Sequence, residues 1–101
     1  MKNKRPFFRV LLVLMFAVVA HAESYYGPTV KNDRLYQIAL ALRPVDASVS
    51  QTMAALYELN KGAFLDSNIN KLQTGSLLQV PTPYQIKAIP LKQANSLVSS
   101  H

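Results

Sequence analysis
The sequence predicts a small α+β domain of order strand, helix, helix, strand. A two-stranded antiparallel sheet carries both helices packed on one face. Three observations carry this. Aromatic and β-branched residues cluster at Tyr25-Tyr26-Gly27-Pro28-Thr29-Val30, and a second β-type run, Ser76-Leu77-Leu78-Gln79-Val80, ends at Pro81. Between them lie two segments with apolar residues at helical spacing, each introduced by a capping signal. The length of 101 residues allows one small domain.

Residues 1–22 read as an export signal. Lys2, Lys4, Arg5 and Arg9 form a basic start, VLLVLMFAVVA (residues 10–20) is a continuous apolar run, and Ala20-His21-Ala22 is a small-x-small site before acidic Glu23. A spanning helix needs about 20 apolar residues, and Arg9 interrupts the run. Cleavage is therefore expected after Ala22, leaving an exported chain with no membrane span.

The first strand is expected over residues 25–30, with Gly27-Pro28 confining its pairing to an end or an edge. Lys31-Asn32 is a turn, and Asp33 has the chemistry of a helix N-cap. Leu35, Ile38, Ala39 and Leu42 then mark one helical face, which Pro44 stops, with Arg43 at the negative end of the dipole. Ser48-Val49-Ser50-Gln51 fits a capping box. Val49, Met53, Leu56 and Tyr57 (or Asn60) define the second helix, which Asn60-Lys61-Gly62 ends. A loop over residues 63–75 follows, with Phe64, Leu65, Ile69 and Leu72 expected to anchor it. In the second strand, Leu77 or Leu78 with Val80 should meet Leu35, Ile38, Met53 and Leu56.

The organisation read from this pass is a signal at 1–22, a domain at 23–82 and a tail at 83–101. A short amphipathic tail helix is expected from about Leu91 to Val98, following Pro90. With no Cys to staple it, so small a core is marginal, and the tail is expected to dock and add buried apolar surface.

Composition excludes several function classes. The net charge is +6 and the pI about 9.8. Four of the eleven basic residues lie in the signal, ahead of the first acid, Glu23. Beyond it, seven basic and five acidic residues leave only +2, so nucleic acid is not an expected partner. His21 and His101 are the only histidines and there is no Cys, which removes Ser-His-Asp and Cys-His catalysis and ordinary zinc sites. A carboxylate pair drawn from Asp33, Glu58 and Asp66 is formally available for glycoside hydrolysis. In so small a domain these acids read as caps and solvated surface. No enzyme activity, metal or cofactor is expected.

The order of residues also resembles a known domain. Tyr26 to Val30, followed by Lys31-Asn32-Asp33-Arg34-Leu35-Tyr36-Gln37-Ile38-Ala39, is similar to the opening of a LysM domain. Asn60 and Leu72-Gln73-Thr74-Gly75-Ser76-Leu77-Leu78-Gln79-Val80-Pro81 are similar to its second-helix end and closing strand. Tyr26-Gly27-Pro28, Leu42-Arg43-Pro44, Val49-Ser50-Gln51-Thr52-Met53, Asn60 through Phe64 and Asn68-Ile69-Asn70-Lys71-Leu72 resemble the periplasmic region of FimV-type proteins. These are type IV pilus assembly and polar landmark proteins. The chain departs from the LysM pattern at Asn32 (usually Gly), Arg34 (usually Thr) and Tyr36 (commonly Trp), and its loop before Asn68 is longer.

The resemblance implies a LysM-like βααβ fold in the Gram-negative periplasm. It also implies a peptidoglycan-binding groove between two loops. Mapped by residue, Lys31, Asn32, Asp33 and Arg34 form one side, and Lys61, Phe64, Asn68, Ile69, Asn70, Lys71 and Leu72 the other. The chemistry of irregular loops suits N-acetylated sugars, which need backbone partners and an apolar wall. Asn68 and Asn70 either meet acetamides or make Asx turns. Phe64 is either a sugar platform or a core plug, and Tyr36 either core or groove edge. The basic residues suit the carboxylates of lactyl groups and stem peptides. The expected function is non-catalytic peptidoglycan binding. The alternative is a protein-interaction module that docks to a pilus or secretion-apparatus component without binding glycan.

Overall fold
The computed structural model describes residues 23–100. The expected export signal at residues 1–22 lies outside the described residues. The expected order is present: β1 (Ser24–Tyr26), α1 (Leu35–Leu42), α2 (Val49–Leu59) and β2 (Leu78–Val80), followed by α3 (Pro83–Lys87) and α4 (Leu91–Ser99). The result is a small α+β fold, consistent with a βααβ LysM-like arrangement. β1 and β2 are antiparallel, with Ser24 opposite Val80, Tyr25 opposite Gln79 and Tyr26 opposite Leu78.

Both strands are shorter than the sequence suggests. β1 ends at Tyr26 because Gly27 takes φ +119°, a conformation open to glycine and strained for any other residue. A Cβ there would also lie 2.7 Å from the Ser76 carbonyl oxygen. β2 starts at Leu78 because Ser76 is already engaged: its carbonyl accepts from the Thr29 N–H at 2.8 Å and its N–H donates to Thr29 Oγ1 at 2.9 Å. Leu78 is fully buried and Leu77 is 59% exposed, which sets the face of the strand.

The outer edge of β2 is closed by one side chain. Asn60 Nδ2 donates to the Gln79 carbonyl at 3.0 Å and to the Leu56 carbonyl at 2.8 Å, while Asn60 Oδ1 accepts the Gln79 N–H at 2.8 Å. The amide thus stands in for a missing third strand and locks the end of α2 to the sheet. Asn60→Ala should cost about 2 kcal/mol, because it strands a part-buried N–H and two carbonyls. Urea denaturation reads this directly, and a change below about 0.5 kcal/mol would show that water replaces the amide.

On α1, Leu35, Ile38 and Ala39 are buried and Leu42 packs against the core, as the spacing predicts. Its start differs from expectation. Asp33 is not the N-cap; Arg34 is, and it makes no side-chain cap bond. Asn32 is left-handed at φ 75°, and the turn brings Asp33 back to Val30. Asp33 Oδ2 accepts the Val30 N–H at 2.8 Å and the Asp33 N–H donates to the Val30 carbonyl at 3.0 Å. One oxygen of the carboxylate is thus used in turn closure.

The predicted capping box of α2 is present: Gln51 N–H donates to Ser48 Oγ, and the Ser48 N–H donates to Gln51 Oε1, each at 3.0 Å. Residues 51–57 are all buried because α2 is central, with α1, β2, α3 and α4 packed around it. Its polar members are satisfied. Thr52 Oγ1 donates to the Ser48 carbonyl and Gln51 Nε2 to the Ile89 carbonyl at 2.7 Å.

The tail forms two helices where the sequence suggests one. α3 is introduced by a second capping box, Thr82 with Gln85, and Pro83 stands in its first turn. Ile86 packs with Ala47, Ala55 and Ile89. Lys87 Nζ meets Asp46 Oδ2 at 2.9 Å, and this hydrogen bond holds the Asp46 carboxyl below its ordinary pKa. α4 buries Ala94 and leans Leu97 and Val98 on the main core. No helix among the described residues is long and apolar enough to cross a membrane.

Candidate functional site
The loop between β1 and α1 meets the loop between α2 and β2 at a groove of about 490 Å³. The two loops are fastened together at their bases by Thr29, which is buried. Thr29 Oγ1 donates to the Gln73 carbonyl at 2.7 Å, and the Thr29 carbonyl accepts from the Gly75 N–H at 2.7 Å. Asn32 supplies the turn in the first loop. Asn tolerates the left-handed region better than other non-glycine residues, so Asn in place of the usual glycine keeps the loop path.

The second loop is held by short-range bonds. Two 3₁₀ turns, Lys61–Ala63 and Leu65–Ser67, frame Phe64. Phe64 pairs with Leu72 in an isolated antiparallel bridge. Left-handed Asp66 and Ser67 (φ 55° and 52°) reverse the chain, and the Tyr57 hydroxyl donates to the Ser67 carbonyl at 2.8 Å. Ile69 is buried against the core. Leu65 does not anchor the loop as expected; it is 54% exposed, because the reversal at Asp66 turns it outward.

Of the eleven residues singled out from the sequence, Asn32, Asp33, Arg34, Ile69, Asn70 and Leu72 line the groove. Leu35 and Met53, which the sequence marks only as core, complete its floor. Tyr36 also lines it and is 54% exposed, so of its two readings the edge position is the one observed. An exposed aromatic ring beside a polar rim can stack on the apolar face of a sugar while neighbouring amides meet its hydroxyls.

The other five are not brought into the lining. Phe64 is buried and stacks edge-on against Tyr57 at 5.0 Å, so it is a core plug. Asn68 Oδ1 accepts the Asn70 N–H at 2.8 Å, an Asx turn that presents Asn70 to the groove. Lys61 pairs with Glu58 at 3.2 Å and Lys71 with Asp66 at 3.5 Å. Lys31 is exposed next to the rim. Arg34 is therefore the cation among the groove-lining residues, and it has no carboxylate partner among the described residues. The Glu58–Lys61 pair follows i,i+3 helical spacing and is legible in the sequence. The Asp66–Lys71 pair depends on the left-handed reversal and is not.

A second groove, of about 340 Å³, lies where α2, α3 and α4 meet, with Ala55, Leu59, Pro81 and Ile89 among its walls.

Over 72 residues the chain is 44% identical to Motility hub protein FimV of Pseudomonas aeruginosa PAO1, and equally to the same protein of strain UCBPP-PA14. The match covers 71% of this chain and 8% of each relative. The chain is thus close in sequence to a short part of FimV. No protein-family model matches it, and no solved structure does either.

Proposed function
We propose, on the premise of this closeness to FimV, that the chain is a non-catalytic, exported cell-envelope module that serves motility and binds N-acetylglucosamine-containing glycan of peptidoglycan. In this reading it acts in the Gram-negative periplasm and is linked to type IV pilus assembly or polar organisation. It works without metal or cofactor. The motility link rests on the name of the matched relative. The glycan reading rests on the groove, in which two loops bring a half-exposed Tyr36, an apolar floor and the polar side chains of Asn32 and Asn70 together.

Titration of ¹⁵N-labelled protein, purified from the periplasm of an expression host, with muramidase-released peptidoglycan fragments tests it. Shifts are expected at Asn32, Arg34, Tyr36, Asn70 and Leu72. One module binds weakly, and firm retention on the wall needs several together. Spectra unchanged by the fragments, with all protein left in the supernatant of pelleted sacculi, would overturn the glycan reading. The apolar groove between α2 and α4 favours a second reading, docking to a pilus or secretion-apparatus protein. Its signature is shifts at Ala55 and Leu59 on adding an envelope extract, with none from glycan.

A further inference from the structure
Four cations lie on the two loops, and the structure separates them. Lys61 and Lys71 form exposed ion pairs with Glu58 and Asp66 and lie outside the groove lining. Lys31 is exposed outside the groove lining. Arg34 lines the groove, is exposed, and occupies the N-cap position of α1 with no side-chain cap bond to that helix. Asp33 shares that wall, but one of its oxygens is turned to the Val30 N–H. Residues 31–34 together carry +1.

Peptidoglycan and chitin share the N-acetylglucosamine unit and differ in charge. Chitin oligomers offer acetamides and hydroxyls only. In peptidoglycan every second sugar carries a lactyl ether whose carboxyl group is either a free carboxylate or amide-bonded to a stem peptide that bears carboxylates of its own. A guanidinium presents a planar fork of donors that matches a carboxylate in two parallel bonds. It has no comparable partner on a neutral sugar.

We propose that Arg34 is a specificity-determining residue that makes this groove select glycan bearing a lactyl carboxylate over neutral chitin-type glycan of the same length. The inference rests on the glycan reading above and goes one step further, to which glycan. The guanidinium is solvent-exposed, so the preference is modest and salt-sensitive.

The test compares two tetrasaccharides, chitotetraose and the peptide-free (GlcNAc–MurNAc)₂, by NMR titration at low and high salt. The native protein should bind the second about 1.5- to fivefold more tightly at low salt, the range expected for an exposed ion pair. The gap should narrow as salt rises. Arg34→Gln should remove the preference, so that the variant binds the two tetrasaccharides with equal affinity, and Arg34→Lys should retain part of it. The ¹⁵N spectrum of each variant checks that the fold is kept. Equal affinities in the native protein, or a preference that survives Arg34→Gln, would overturn the role of Arg34 and leave the glycan reading standing. Binding of neither tetrasaccharide would overturn both.

Discussion

Leu56→Ala is expected to remove about 3–4 kcal/mol of stability, the range for a fully buried leucine whose site cannot collapse. Leu56 has 0% exposure and belongs to the core formed by Leu35, Ile38, Met53, Tyr57, Phe64, Ile69 and Leu78. Those partners come from α1, α2, β2 and the loop that carries the groove. Collapse into the void is opposed at two places. The Phe64 ring stacks on Tyr57, and the end of α2 is locked to Gln79 through Asn60. A chain of this size holds only about 4–12 kcal/mol in total, so the variant should lose about a quarter of its stability or more. Urea denaturation followed by circular dichroism measures the loss. A loss under about 1.5 kcal/mol would mean that the core repacks, and that the groove floor of Met53 and Ile69 is softer than its burial indicates.

The helices and their order are legible in the sequence because their signals are local. Leu35, Ile38 and Ala39 face inward as their spacing requires, and Ser48 with Gln51 forms the box that the residues spell. Thr82 with Gln85 carries the same signal in a less readable place. Pro81 and Pro83 read as strand terminators, yet Pro83 belongs to the first turn of a helix, where its missing N–H costs nothing. Asp33 shows the opposite limit. Its type fits a cap, but the left-handed Asn32 before it redirects the carboxylate to Val30, and no pattern of residue types distinguishes those two uses. The parity of Leu77 and Leu78 is likewise set by what lies beneath the sheet.

The candidate site was legible as two loops, through resemblance, and less so as individual residues. Membership of the groove depends on the path of the second loop. Two left-handed residues, Asp66 and Ser67, hand Lys71 to an acid, and the isolated bridge to Leu72 keeps Phe64 in the core. What distinguishes Arg34 from Lys61 and Lys71 is its place in the groove lining, which depends on the folded path of both loops.

Ending the chain after Thr82 is expected to be as damaging as the loss of Leu56, although it leaves the whole βααβ core in place. Residues 51–57 of α2 are all buried only because α3 and α4 cover them. Without them, Ile86 no longer packs on Ala47 and Ala55, and Leu97 and Val98 no longer pack on the main core. Gln51 Nε2 loses the Ile89 carbonyl and Asp46 loses Lys87. Truncating one buried isoleucine alone costs about 2–5 kcal/mol. Removing Ile86 with its neighbours should therefore cost at least about 3 kcal/mol, even after the tail's own ordering entropy is returned. The two grooves make the experiment informative about function. The groove between the two loops is built without α3 or α4, whereas the apolar one needs both. At low temperature the truncated chain should retain shifts at Asn32 and Tyr36 on adding peptidoglycan fragments, with a melting temperature lowered by ten degrees or more, as about 4–8 °C per kcal/mol implies for a domain of this length. An unchanged melting temperature would show that the tail is only an appendage and that α2 is stable with that face exposed.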